Sequence, residues 1–365
     1  MNAVSEYSLE LEPDDFKWFA DHAATERCFP AALSAHGRRF PCWVGYRGRF
    51  SRDFAKPSYD LWFPPEGGPD GRRTLHLNAA YRDPSLLRGR LAFRLFEGMG
   101  VPVPDCRHVS LNLNGRGLGL YTAMEALDGD WLKRQEAGGG TIYYGVGGEG
   151  NFGLLSRKSK QPKRYLAAGY EKCHPPDDES GDLKELIYRI TLPEDDEFEA
   201  TIGDVVDMAE CLRWLAGVIF ISHTDGLVHN YALIRRPGQR WELSPWDLDG
   251  TFGRCPWGHT LPPDEVPLAM SGGNYLAIRL LRSPRWRKAY AALWAELLEG
   301  PLSEATVSEH LGAIYREIRE PALRDAGKWR KNSTFLREPA YIRRWVADRT
   351  RFLRTELKNW GAAPR

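Results

Sequence analysis

Residues 205–234 read VVDMAECLRWLAGVIFISHTDGLVHNYALI, and how this stretch is read decides what the chain builds. Positions 205–222 are apolar nearly all round, which marks a helix inside a core rather than one lying on a surface. The polar run HTDG follows, Asp225-Gly226 turns the backbone, and ALI at 232–234 resumes as a strand. A buried helix that hands over to a polar loop and then a strand presents Asp225 and Asn230 together, with His223 and His229 beside them. A loop histidine ordinarily bonds locally, so the two imidazoles are read as supports for the loop. Asp-Gly is also common turn punctuation, and Asp225 alone does not separate the two readings.

Downstream lies SPWDLDGTFG at 244–253, where Asp247 and Asp249 flank Leu248 just past the strand-like WELS. A carboxylate, a carboxamide and a second carboxylate at the end of the next strand form a hard oxygen set suited to Mg²⁺. Phosphoryl transfer needs little more from a protein than an aligner or base for the acceptor, metal ligands, and a cation on the phosphates. Asp225 would orient or deprotonate the acceptor, Asn230 would hold metal, and Asp247 would bridge metal to the phosphates, with Asp249 as a second metal-side carboxylate. The cation has one suitable source, YRGRFSRDFAKPSYDLWF at 46–63. There Gly48 permits close approach of backbone to phosphate, Ser51, Arg52 and neighbouring amides can donate, and Lys56 supplies a compact point charge. The bland alternative is an exposed strand lysine beside a solvated arginine turn of Arg47, Arg49 and Arg52.

The rest of the chain sets these stretches in order. Positions 30–63 read as short strands broken by Gly and Pro, and DPSLLRGRLAFRLFEGMG at 83–100 as a helix with Asp83 as N-cap and Gly100 as its stop. HVSLNLNGRGLGLYTAME at 108–125 reads as a hairpin turning between Asn114 and Gly119. The Gly-rich and charged 137–185 region reads as surface loop, and the remainder as helices. The expected fold is α+β and bilobal, protein-kinase-like, with a β-rich N-lobe over 1–128 carrying the phosphate loop and one main helix, and a mostly helical C-lobe over 129–365.

Bulk composition excludes some functions. Lys plus Arg number 50 against 49 Asp plus Glu over 365 residues, so no global electrostatic footprint for nucleic acid exists. The longest apolar run, WLAGVIFI at 214–221, is far short of a membrane span. The acidic N-terminus lacks the features of a secretory signal, and six scattered cysteines without a C-x-x-C pair suit reduced thiols, so a cytoplasmic protein is expected.

Together these motifs carry a resemblance. RGRFSRDFAKPSY at 47–59 is similar to the R-G-N-S-S-R-x-F-P-K-K-S-Y pattern of the CotH kinase family, the spore-coat-protein-H-like atypical protein kinases, and this places that family's nucleotide-contacting lysine on Lys56. LNAAYRDPSLLRG at 77–89, LYTAMEALDGDWL at 120–132, DGLVHNYALI at 225–234, SPWDLDGTFG at 244–253 and the helical YLAIRLLRSPRWRKAYAAL at 275–293 resemble further family segments. The resemblance implies a bilobal kinase-like fold, ATP with Mg²⁺ or Mn²⁺, transfer of the γ-phosphate to Ser or Thr of a protein or peptide, and association with spores. Departures are Arg49 for the family's Asn, Gly89 for a common Asn, and Ser244 for an apolar residue. The acidic partner of Lys56 stays open, Glu97 being one candidate. Backbone groups from Met124 through Glu125 to Leu127 are candidates for contact with adenine, against a reading of Met124 as core and Glu125 as a local ion pair. Alternative functions on the same residues are ATP-driven glutamylation, AMP transfer, or a pseudokinase that only binds partners.

Overall fold

The structure, a computed structural model, describes residues 4–22, 26–48, 51–135, 138–329 and 331–360. The chain divides into two compact units, neither contiguous in sequence. One comprises Met1–Leu91, Pro104–Ala126 and His310–Tyr341, the other Ala92–Val103, Leu127–Glu309 and Ile342–Arg365.

The first unit is built on strands β1 (Ser5–Glu10), β2 (Phe29–Ala35), β3 (Arg38–Arg47), β4 (Ser58–Trp62), β5 (Thr74–Asn78), β6 (Cys106–Leu113) and β7 (Arg116–Glu125). They close into a barrel in the order β1-β2-β3-β4-β5-β7-β6. Alternation does the sorting: Phe40, Cys42, Val44 and Tyr46 of β3 and Tyr59 and Leu61 of β4 point inward and are buried. The β6–β7 hairpin turns at Asn114-Gly115 with φ of 46° and 76°, the left-handed pair that such a turn needs and that this dipeptide adopts at low cost. Helix α1 (Pro13–Asp21) plugs the barrel with Phe19, whose ring stacks on Tyr46 at 4.1 Å and whose carbonyl accepts the Tyr46 hydroxyl at 2.9 Å.

Closure overturns the expected bilobal kinase-like fold. β1 pairs in parallel with β6, Tyr7 opposite Leu111 and Leu9 opposite Leu113, so the β-rich half is a closed mixed barrel rather than an open lobe sheet. The physical reason is that alternation marks which strands are half-buried but not which edges meet, and this pairing joins segments a hundred residues apart.

Helix α2 (Arg88–Gly98) starts later than the sequence suggests. Asp83 still anchors its approach, accepting the Arg88 amide at 3.0 Å and the Ser85 amide at 2.9 Å. After α3 (Gly129–Arg134) the second unit forms β8 (Thr141–Gly145) and β9 (Tyr170–His174) from the region expected to be loop. Then come α4 (Gly181–Thr191), α5 (Asp195–Val205), α6 (Met208–Phe220), β10 (Tyr231–Arg235) and β11 (Trp241–Pro245). The strands form a four-stranded antiparallel sheet ordered β11-β10-β8-β9, so the half expected to be mostly helical carries a second sheet beside its helices. Gly145 is needed at one crossing, because a Cβ there would stand 2.8 Å from the Tyr231 ring. Four helices end the chain: α7 (Tyr275–Arg282), α8 (Pro284–Glu299), α9 (Glu304–Trp329) and α10 (Asn332–Lys358).

The expected central helix is present as α6, and its interior character is plain: Trp214, Leu215, Val218, Ile219 and Phe220 are each at most 1% exposed. Asp207 caps its start by accepting the Glu210 amide at 3.0 Å. Its last carbonyls are buried and need donors, which the Arg349 guanidinium of α10 supplies to Ile219 at 2.6 Å and Phe220 at 3.3 Å. The start of the loop that follows is therefore anchored. None of the six cysteines forms a disulfide, and no helix among the described residues is long and apolar enough to cross a membrane.

Candidate active site

Leaving α6, the chain passes through Ser222 in the left-handed region (φ 52°) and packs a small hydrogen-bonded loop on Asp225, whose carbonyl accepts the amide of His229 at 3.0 Å. Gly226 allows the loop to close on His223, since a Cβ there would lie 2.4 Å from the ring. Asn230, again left-handed at φ 58°, ends the loop one residue before β10. Tyr231 lies opposite Pro245 in the antiparallel pairing, so the residues preceding β10 and following β11 emerge at the same edge. The Trp246 amide donates to the Asn230 carbonyl at 2.8 Å, and Asp247 follows at φ 52°.

Two non-glycine residues in left-handed backbone, next to each other in space and both expected to hold metal, are a deliberate arrangement. Such conformations cost free energy and persist where the surroundings enforce them. The enforcing contacts run through His223. Its Nε2 faces the Trp246 carbonyl at 3.1 Å, and because a carbonyl only accepts, that nitrogen carries the proton. Burial holds the ring neutral, with a pKa below its ordinary value, against the opposing pull of the Asp247 and Asp225 charges. Both carboxylates thus act on one imidazole, while they themselves stand exposed at the surface. His223 Nδ1 is buried without a hydrogen-bond partner. His229 holds the other side: its Nδ1 accepts the Gly148 amide at 3.3 Å.

The structure accordingly brings together Asp225, Asn230 and Asp247, with Asp249 half-buried two residues on. Among the described residues no group of three or more His, Cys, Asp or Glu side chains is arranged as a ready-made metal centre. The donor set is instead an exposed carboxylate and a half-buried carboxamide on adjoining rigid backbone. That chemistry fits Mg²⁺, which keeps several waters and binds through one or two protein oxygens together with phosphates.

In the first unit Lys56 is neither exposed nor on a solvated face. Its side chain is fully buried, with Nζ 2.5 Å from Asp325 Oδ2, a further bond to the Leu120 carbonyl, and the Tyr121 ring at 4.6 Å. Asp325, on α9, also accepts the Leu120 amide at 2.8 Å. It is the acidic partner that sequence reading left open. No local spacing points to it, because it lies 269 residues downstream of Lys56. Glu97 instead pairs with Arg94 at 3.3 Å on an exposed surface. Gly48 has φ 84° and a Cβ on it would meet Ser51 Oγ at 2.2 Å, so glycine is required there. The Ser51 hydroxyl donates to the Arg47 carbonyl at 2.9 Å, and Arg52 lies 3.7 Å from Glu26. Arg49, a departure from the resemblance, falls outside the described residues.

Met124 and Glu125 end β7 and are buried. Glu125 lies 3.8 Å from the Arg72 guanidinium, the local ion pair foreseen as the alternative reading. In the second unit, the Leu127 amide and carbonyl are both engaged by the Tyr144 hydroxyl, which accepts from the first at 3.2 Å and donates to the second at 3.1 Å. The Tyr144 ring in turn meets Trp246 edge-on at 5.4 Å. Tyr144 had no sequence signal beyond the alternation of its strand.

Comparison with known proteins adds what geometry alone does not. The family model described as CotH kinase protein matches residues 44–353. The inner spore coat protein H of Bacillus subtilis (strain 168) is 32% identical over 353 residues, covering 96% of this chain and 97% of that protein. The inner spore coat protein H-like protein of the same strain is 27% identical over 302 residues, covering 83% of this chain and 86% of its own length.

Proposed function

The chain belongs to the CotH kinase family, and from that premise we propose that it is an ATP- and metal-dependent phosphotransferase that moves the γ-phosphate to a Ser or Thr hydroxyl of a protein or peptide. The observation that carries the reading is the pairing of Asn230 and Asp247, two left-handed residues joined through the Trp246 amide at the common edge of β10 and β11. In this reading Asp225 accepts the acceptor's proton or aligns its hydroxyl. Asn230 and Asp247 would hold Mg²⁺ or Mn²⁺, and Asp249 would support a second ion. A bound metal would supply positive charge that offsets the charge of the phosphates. His223 holds the loop of Asp225 to the backbone of Asp247 without donating a proton itself, because burial keeps it neutral.

The ATP contacts that family resemblance implies would fall on Lys56, Gly48, Ser51, Arg52 and the backbone at Met124, Glu125 and Leu127, of which the Leu127 amide and carbonyl are already engaged by Tyr144. Lys56 carries Asp325 as its counter-ion, and because its side chain is fully buried a phosphate would reach its ammonium only if the surrounding side chains moved. The name of the B. subtilis relative supports association of this protein with a spore coat.

The test is intact-mass spectrometry of candidate acceptor proteins after incubation with the purified chain, ATP and Mg²⁺. Addition of one phosphate per modified hydroxyl, absent with Asp225→Ala, supports the reading. Addition of AMP or glutamate, or no mass change with any acceptor, contradicts it.

A further inference from the structure

Asn274, the residue before α7, is fully buried, and its carboxamide makes two hydrogen bonds of different kinds. Oδ1 accepts the Ala277 amide at 3.0 Å, the ordinary N-cap of a helix. Nδ2 donates to the Leu227 carbonyl at 2.6 Å, 47 residues away in sequence. The two partners fix which way the carboxamide faces, because an amide N–H needs an acceptor and a carbonyl needs a donor. Capping uses only the oxygen, which Ser, Thr or Asp supplies equally well. The helix by itself therefore does not account for the nitrogen.

That nitrogen serves the candidate catalytic loop. Leu227 stands two residues after Asp225 and is 1% exposed, and its carbonyl receives no backbone amide among the described residues. A buried carbonyl left unmet costs about as much as a lost hydrogen bond, and Asn274 removes that cost. The approach is close: Gly272 has φ 57°, and a Cβ on it would stand 3.0 Å from Leu227 Cδ1. The Tyr275 amide donates to the Asn151 carbonyl at 2.7 Å, and the neighbouring Gly150 amide donates to the Val228 carbonyl at 3.1 Å, so the start of α7 is seated beside the same turn.

The two ends of the loop are held differently. At Asn230 the backbone is fixed from outside the loop, its amide donating to the Gly145 carbonyl at 3.2 Å and its carbonyl accepting the Trp246 amide at 2.8 Å. The Asp225 carbonyl is held by the loop's own amides, those of His229 at 3.0 Å and Val228 at 3.4 Å, and Leu227 lies inside that turn. We propose that Asn274 is a positioning residue for the transfer reaction: one half of its carboxamide caps α7 while the other ties the Asp225 turn to that helix, setting where Asp225 stands relative to Asn230 and Asp247. The proposal rests on the phosphotransferase reading for the reaction being served, and on the hydrogen bonds alone for the tether.

Asn274→Ser and Asn274→Asp each keep an oxygen for the Ala277 amide and remove the N–H donor to Leu227, so they separate the cap from the tether. Amide hydrogen exchange of the full chain, read by mass spectrometry without nucleotide, is expected to quicken about tenfold in peptides covering 223–231 and to stay as in the native chain in those covering 275–282. In transfer assays with ATP, Mg²⁺ and an acceptor identified by the mass measurement above, kcat is expected to fall about ten- to a hundredfold while KM for ATP stays within about twofold, because Asn230 and Asp247 keep their own backbone bonds. A purely structural asparagine would leave kcat of the folded variants unchanged. Loop exchange equal to that of the native chain, protection lost throughout the protein in both variants, or an unchanged kcat overturns the proposal. If the native chain transfers phosphate to no acceptor, the phosphotransferase reading fails, and the exchange measurement still decides whether Asn274 holds the loop.

Discussion

Asp325 Oδ2 lies 2.5 Å from Lys56 Nζ, and neither side chain is exposed to solvent. A charge pair sealed in this way is costly to break from one side, because the survivor stays buried and uncompensated. Asp325→Ala is expected to lower unfolding stability by about 3–5 kcal/mol, whereas K56M/D325L, which replaces the pair by apolar groups, recovers most of that loss. Denaturant melts of the three proteins check it. A double variant that folds well yet fails to bind ATP would show that Lys56 serves the nucleotide as well as the fold.

His108 donates its Nε2 proton to the Leu86 carbonyl at 2.8 Å and faces the Arg90 guanidinium with Nδ1 at 3.1 Å. Burial, helped by the Arg90 charge, lowers its pKa to about 3, far below the ordinary 6.5. The unfolded chain takes up this proton below about pH 6.5 and the folded chain does not. The stabilising contribution is therefore complete above that pH and is lost as pH falls toward 3, by up to about 1.4 kcal/mol per unit. His108→Gln is expected to be less stable at pH 7.5 but to lose less on acidification, as urea melts between pH 7.5 and 5 will show. An unchanged pH slope would contradict it.

At Gly226 any side chain meets His223, with the Cβ of Ala 2.4 Å from the ring. Gly226→Ala is expected to push the imidazole off the Trp246 carbonyl and so to misplace Asp225 relative to Asp247. Overpacking of this kind costs about 1–3 kcal/mol in stability. The loss in phosphate transfer should be larger, on the order of a hundredfold, since positioning errors of about an ångström act on the reaction directly. Paired melting and transfer-rate measurements separate the two effects.

Ser244, which stands where the family resemblance calls for an apolar residue, is fully buried on β11 opposite Ala232, and its hydroxyl has no hydrogen-bond partner. Removing an unsatisfied buried hydroxyl leaves no partner stranded. Ser244→Ala is expected to be neutral or to stabilise the protein by up to about 1 kcal/mol, measured by thermal melting.

The parts of this molecule legible in its sequence are those fixed by short-range rules. The Gly-rich turn between Asn114 and Gly119 announced the β6–β7 hairpin, the all-round apolar run announced α6, and the spacing between a helix, a loop and two strands placed Asp225, Asn230 and Asp247 near one another. Long-range pairing left no such trace. Tyr7 and Leu9 alternate in SEYSLE as β1 requires, but nothing local says that they close a barrel against Leu111 and Leu113. β8 and β9 were hidden in Gly-rich, charged surroundings, because a strand of five residues is too short for its pattern to stand out. Asp325 and Tyr144 act through contacts that only the folded chain creates.

The central claim is that Asn230 and Asp247 hold the metal through which ATP binds, and thermal unfolding with ATP and Mg²⁺ tests it most directly. The native protein is expected to gain about 2.7 kcal/mol of stability at a nucleotide concentration a hundred times its dissociation constant. Asn230→Ala and Asp247→Ala should each lose most of the gain that depends on Mg²⁺. No stabilisation of the native protein, or an equal Mg²⁺-dependent gain in both variants, would contradict the account.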